Sequence, residues 1–184
     1  MPGTATAGSA PTTAGPSGGT QARPSASRSA SAVPHPSAVG FQPCAMLPPN
    51  VVAGLLAAGA VDGVTDARTV PAGVLRQQDG CNYTVRGGTQ TLGYLVWRYP
   101  SPAAAKAPLS ALQVLKGSAG MTAFRPGLAD GSLGIVVSTG SVAAVQLTVV
   151  AGDRVLQLTL GGQPTAAAAQ DRATAAARQL LRRL

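Results

Sequence analysis

The stretch Cys81-Asn82-Tyr83-Thr84-Val85, followed by Gly87-Gly88 and then by Thr91-Leu92-Gly93-Tyr94-Leu95-Val96-Trp97-Arg98-Tyr99, decides the fold. Two runs rich in β-branched and aromatic residues, separated by paired glycines, spell a β-hairpin. Glycine supplies the positive φ that tight hairpin turns demand. In the longer run Leu92, Tyr94 and Val96 point one way and Leu95, Trp97 and Tyr99 the other. Both faces are apolar, which marks a central strand.

Downstream, three more strand-like runs occupy residues 133–139, 142–150 and 154–160, the last two joined across Ala151-Gly152-Asp153. They read as an antiparallel meander. Val145, Leu147 and Val149 alternate with Gln146 and Thr148, and Leu156, Leu158 and Leu160 alternate with Gln157 and Thr159, so one face is core and the other wet. Between hairpin and meander, an Ala-rich stretch carries Leu109, Leu112 and Leu115 three apart and predicts a helix that closes near Gly117, with Pro108 starting or kinking it. The chain ends in a longer helix opened by Pro164-Thr165. Its single stripe is Ala173, Ala176, Ala177, Leu180, Leu181 and Leu184, with Arg172, Arg178, Arg182 and Arg183 off it.

Upstream of the hairpin, Pro48 and Pro49 precede Val51, Val52, Leu55 and Leu56 at helical spacing, and Gly59 offers a stop. Residues 62–71 are ambiguous between a short strand and a loop. Residues 1–40 consist almost wholly of Ala, Ser, Thr, Gly and Pro. Such a segment buries too little apolar surface to offset its ordering entropy, which makes it a disordered tether or a plain low-complexity tail. Residues 41–184 are then a single α+β domain: an antiparallel sheet of about five strands with helices packed on one face.

Composition bounds the function. Net charge is +8, yet twelve arginines and two lysines are spread thinly and aromatic residues make up only 3% of the chain, so base-stacking platforms are scarce. Nucleic acid is therefore not an expected partner. No apolar run is long enough to span a membrane, and Met1 is followed by Pro, Gly, Thr and Ala rather than by a basic and then apolar leader. The cysteines are Cys44 and Cys81, too few for a zinc site and too far apart for a redox pair. One disulfide is the natural reading, and it implies an oxidising, extracytoplasmic setting; two buried free thiols in a reducing one is the alternative.

Catalytic machinery is hard to assemble from this inventory. His35 is the only histidine and lies before residue 40, and there is no glutamate. Hydrolytic chemistry lacks its usual general bases. The acids Asp62, Asp66, Asp79, Asp130, Asp153 and Asp171 mostly sit in turn-like contexts, and neither calcium-loop nor phosphate-loop spacing occurs. No metal, cofactor or catalytic residue is expected. Tyr94, Trp97 and Tyr99 are the candidates for a ligand groove, against the plainer reading of strand aromatics as core.

Pro43-Cys44-Ala45-Met46-Leu47 ahead of a short apolar helix, Cys81-Asn82-Tyr83 opening a strand, the hairpin Ala151-Gly152-Asp153-Arg154 and the Ala/Arg-rich last helix together resemble the actinobacterial domain of unknown function 3558 family over residues 41–184. Tyr83 stands where that family commonly has Trp, and no lipid-bearing cysteine precedes the linker. The resemblance implies an exported protein, often a lipoprotein, with Cys44 and Cys81 as its disulfide pair and no established activity to transfer. The expected function is a non-catalytic cell-envelope binding module. Its ligand would be small and apolar or lipid-like, or its partner an envelope protein, with a membrane tether through an N-terminal segment. A structural lipoprotein without a ligand cavity and an enzyme of unrecognised type are the alternatives.

Overall fold

The computed structural model describes residues 44–115 and 120–184. The tether read at residues 1–40, the entry at Phe41 and the helix stop at Gly117 lie outside the described residues. Seven strands form one antiparallel sheet: β1 (Val61–Thr65), β2 (Arg76–Val85), β3 (Thr91–Arg98), β4 (Met121–Phe124), β5 (Gly131–Thr139), β6 (Val142–Ala151) and β7 (Arg154–Gln163). Their order across the sheet is β1-β2-β3-β7-β6-β5-β4. Two meanders thus lie side by side. The helices are α1 (Pro49–Leu56), α2 (Pro102–Ala105), α3 (Ala107–Leu115) and α4 (Ala166–Leu181).

The seam between the meanders is the pairing of β3 with β7, in register from Thr91 opposite Gly161 to Arg98 opposite Arg154. After β3 the chain crosses through α2 and α3 to the far edge of the sheet, and the second meander walks back until β7 docks on β3. Side chains reinforce that docking. Trp97 Nε1 donates to Gln157 Oε1 at 2.9 Å, and Arg98 Nε donates to Asp153 Oδ2 at 2.8 Å.

One face of the sheet carries the main core: Leu92, Tyr94 and Val96, with Val145, Leu147, Val149, Leu156, Leu158 and Leu160, under α1 and α4. The stripe read from the sequence is the buried face of α4, where Ala169, Ala173, Ala176, Ala177 and Leu180 have no exposed surface. Alanine there lets the helix backbone come down close on the leucines of β6 and β7, filling the gap without long side chains. Thr165 caps the helix, its hydroxyl accepting from Ala168 N at 3.1 Å.

Three expectations change. The sheet has seven strands, not about five: β1 settles the ambiguous residues 62–71 in favour of a short edge strand running into a loop, and β4 is a four-residue edge too short to show alternation. Helices pack on both faces, because α2 and α3 cover Trp97, Val150, Val155, Leu133 and Ile135 on the side opposite the main core. This is why Thr148, expected to be wet, is 1% exposed. Finally, α1 stops before Gly59: Ala57 takes the left-handed conformation (φ 52°) and its N–H returns to the carbonyls of Ala53 and Gly54.

Cys44 and Cys81 form a disulfide with Cα atoms 5.1 Å apart. Cys81 lies in the core on β2, so the bond ties the segment leading into α1 to the sheet. Tyr83 adds a second tie, its buried hydroxyl donating to the Leu47 carbonyl. With a sequence separation of 37 the closed loop is long. Loop-closure entropy assigns such a bond about 4 kcal/mol. Replacing both cysteines by alanine should lower the unfolding free energy by about that amount in urea titrations. A loss below about 1 kcal/mol would show that packing alone holds the entry segment.

Candidate functional site

On the second face, α2 and α3 cover Trp97, Val150, Val155, Leu133 and Ile135, and the strip through Asn82, Thr159 and Gln146 is open. One row of directly paired residues crosses all seven strands on that open side: Val64, Asn82, Gly93, Thr159, Gln146, Ile135 and Ala123. Directly opposite residues share a face, so these side chains stand side by side. Inside the edge residue Val64, the row runs from polar at Asn82 to apolar at Ile135 and Ala123.

At its polar end Asn82, Gln157, Thr159 and Gln146 line a cavity of about 200 Å³ with the ion pair Asp66–Arg68. The loop after β1 brings that pair over the sheet: Asp66 N donates to Gly80 O at 3.0 Å, and Arg68 N donates to Gln77 Oε1 at 2.7 Å. Arg68 Nε reaches Asp66 Oδ1 at 2.7 Å and Asn82 Nδ2 reaches Asp66 Oδ2 at 2.9 Å. These donors, Arg68 foremost, hold the Asp66 carboxyl below its ordinary value. Gly93 leaves room for the polar side chains: a Cβ there would fall 2.8 Å from Thr159 Oγ1 and closer still to Asn82 Oδ1.

At the apolar end Met121, Ile135, Val137 and Ala144 line a second cavity of about 330 Å³. Gln146 and Thr159 border both cavities, so the two adjoin along one groove-like strip of the sheet. Carboxamides, a hydroxyl and an ion pair at one end, with bare aliphatic surface at the other, suit an amphiphile better than a purely apolar or purely charged molecule.

This fold has a counterpart of known structure. The chain is similar to the extracellular domain of PknH from Mycobacterium tuberculosis, with a TM-score of 0.54 over 72% of this chain and 91% of that one, at 12% sequence identity. The likeness at that identity is one of fold. No protein-family model matches the sequence. No curated protein matches it either.

The three aromatic candidates do not share one pocket, although Tyr94 is among the residues that line the polar cavity. Tyr94 is 1% exposed on the main-core side, stacked against Tyr83 with ring centroids 6.4 Å apart. Trp97 and Tyr99 belong to the opposite side, packed with Ala105 and Leu109 beneath α2 and α3. Trp97 touches the groove only through its hydrogen bond to Gln157. The groove residues Asn82, Gln146, Gln157 and Thr159 are the polar members of the alternating strands. Sequence reasoning passed over them because alternation marks such positions as solvent-facing without showing that a loop and a neighbouring meander wall them in.

The acids are dispersed. Asp62 pairs with Arg86 at 2.6 Å, Asp153 pairs with Arg98, and Asp130 Oδ2 accepts from Gly152 N at 2.6 Å. Asp79 differs, being 2% exposed inside the disulfide region. Its Oδ1 accepts from Gly80 N at 2.7 Å and its Oδ2 from Tyr94 Oη at 2.9 Å and Met46 N at 3.4 Å. Desolvation outweighs these donors and raises its carboxyl above the ordinary 3.8, while burial pushes the Tyr83 phenol up to about 12.

An acid with a raised folded-state pKa binds its proton more tightly when folded. Its contribution to stability is therefore full below 3.8 and is lost as pH rises through the raised value. Asp62 and Asp66, whose values are lowered, act in the opposite sense. The stability of the native chain minus that of Asp79→Asn isolates the first effect, and it should fall as pH climbs from 3 toward neutrality, starting near the ordinary 3.8. A flat difference in urea titrations across that range would place Asp79 in a solvated setting.

Proposed function

We propose that this protein is a non-catalytic, extracytoplasmic binding module whose open sheet face holds a small lipid-like molecule. The observation that carries the reading is that a mainly apolar cavity adjoins one lined mostly by polar residues, with Gln146 and Thr159 lining both. An acyl or alkyl chain lies over Met121, Ile135, Val137 and Ala144. A hydroxyl-bearing head meets Asn82, Gln157 and the Asp66–Arg68 pair. Burial of such a chain contributes about 0.8 kcal/mol per methylene, while the carboxamides fix orientation.

Support for export comes from the Cys44–Cys81 disulfide, which persists in oxidising compartments. The fold shared with an extracellular domain and the motif resemblance to the domain of unknown function 3558 family point the same way. No helix among the described residues is long and apolar enough to cross a membrane. A lipid tether would have to come from outside this domain. The non-catalytic reading rests on the sequence, which holds no histidine beyond residue 40 and no glutamate anywhere.

A partner protein is the second reading, favoured by one edge of the sheet. Strand β1 is open on its outer side, and Val64 on it and Val70 in the loop after it are exposed. An extended peptide could pair there. Two carbons of chain length separate the readings more cleanly than any structural argument, because only the groove discriminates alkyl length.

Trp97 is the only tryptophan, and its indole is hydrogen-bonded to a groove residue. Titration with n-alkyl glycosides below their micelle concentration should therefore give a saturable change in tryptophan emission, with affinity rising as the chain lengthens. Ala144→Trp, which fills the apolar floor, should weaken binding at least about tenfold without lowering the melting temperature. Because that variant adds a fluorophore, its affinity is best read by calorimetry. Affinity independent of chain length, or unchanged in Ala144→Trp, would transfer the function to the β1 edge.

A further inference from the structure

A second feature lies on the main-core side, at the end of the sheet away from the groove's polar row. Arg76, Arg98 and Arg154 occupy one cross-strand row, Arg76 opposite Arg98 on β2 and β3, and Arg98 opposite Arg154 on β3 and β7. Directly opposite positions bring side chains onto the same face at roughly 5 Å between Cβ atoms, and like charges so placed destabilise a sheet. Of the three, only Arg98 has a pairing, with Asp153, that offsets the repulsion. Arg183, just past α4, closes the same corner, donating only to the Ala45 carbonyl at 3.3 Å.

A cavity of about 260 Å³ opens at the Arg154 end of the row, with Arg154, Arg183, Gln78 and Asp79 in its walls and Arg76 and Arg98 in the adjoining positions of the row. Among the described residues only Arg98 of the four arginines has a carboxylate partner, Asp153. The Asp79 carboxylate is turned inward and occupied by donors from Gly80, Tyr94 and Met46. Gln78 sits at the β-bulge where the β2–β3 register shifts between Gln77 and Asp79. Its buried Oε1 has no hydrogen-bond partner among the described residues. Bulges re-aim side chains in this way beside functional sites. Since amide oxygen and nitrogen are assigned from their surroundings, the carboxamide is equally able to present its two N–H donors to the cavity.

We propose that Arg76, Arg98, Arg154 and Arg183, with Gln78, bind a phosphate group. Guanidinium forks match phosphate oxygens bidentately, and a bound dianion turns the repulsion along the row into attraction. The site is independent of the groove, which lies on the other face of the sheet. Phosphate reaches it either free or as the headgroup of an anionic lipid.

The test uses the full chain labelled with ¹⁵N. Arginine Nε–H signals are followed during titration with inorganic phosphate against chloride at matched ionic strength, and sedimentation is measured with phosphatidylcholine vesicles with and without phosphatidylglycerol. The expected result is saturable movement of the Arg76, Arg98 and Arg154 signals, with binding weakened about tenfold in Arg76→Gln/Arg154→Gln and preserved in part in Arg154→Lys. Arg125→Gln, an exposed arginine outside the row, should bind as the native chain does. If the double variant does not fold, the exposed Arg76→Gln alone carries the comparison. Response to phosphate in solution identifies the free ion as sufficient; sedimentation with anionic vesicles alone identifies the headgroup. Equal losses in Arg125→Gln and Arg76→Gln would reduce the effect to net charge and overturn the proposal, as would no response to either probe. Alkyl-glycoside binding should persist in the row variants, so failure here leaves the groove reading standing.

Discussion

The pairing of β3 with β7 is the constraint on which the rest of the structure depends. It joins segments some sixty residues apart, as the Trp97–Gln157 hydrogen bond shows by its sequence separation of 60. Until it forms, each meander has an unpaired edge and half a core. Loop-closure entropy opposes such long-range pairing, and the return comes only when Leu92, Tyr94 and Val96 meet Leu156, Leu158 and Leu160 under α4. A slip of one residue would turn those leucines outward and carry Thr159 and Gln157 into the core. The Arg98–Asp153 pair and the Tyr99 N–H bond to Asp153 O at 2.7 Å oppose that slip at the end of the seam.

The two faces of the sheet divide the work unequally. On the α1/α4 side, alanine lets a sixteen-residue helix settle onto the leucines, and the core there is continuous from Val52 to Leu180. On the other side, α2 and α3 are short and cover one end only. What remains is a strip of sheet whose polar residues have neither a helix nor, for Gln146 and Thr159, any hydrogen-bonded protein partner among the described contacts. A sheet stabilised fully from one side can leave the other partly bare, and the groove follows from that asymmetry.

How much of this was legible varies with the range of the signal. The hairpin at Gly87-Gly88, the meander and the α4 stripe are local periodicities, and they stand where the sequence placed them. The short edge strands β1 and β4 are not legible, because four or five residues paired on one side carry no alternation that a loop would lack. Coverage of both faces was half visible: Trp97 and Leu95 opposite Tyr94 and Val96 demanded apolar neighbours on each side, but Thr148 and Gln157 argued for water. The helices reconcile these by covering one end of the face. The groove was illegible for a related reason. Its lining joins Asp66 to Gln146 and Val137, residues whose proximity exists only once β7 has docked on β3.

The aromatic residues of the central strands also hold the frame on which the groove is built. Tyr94 and Tyr83 anchor Asp79 and Leu47 beside the disulfide, and Trp97 fixes the seam through Gln157. Large rings with one polar atom are well suited to such posts, since each buries a broad surface and still reports its position through a single directional bond. Amides, hydroxyls and guanidiniums stand at the rims, where water reaches them. The Trp97–Gln157 bond joins the two: the same carboxamide that holds the register of the seam also lines the polar cavity.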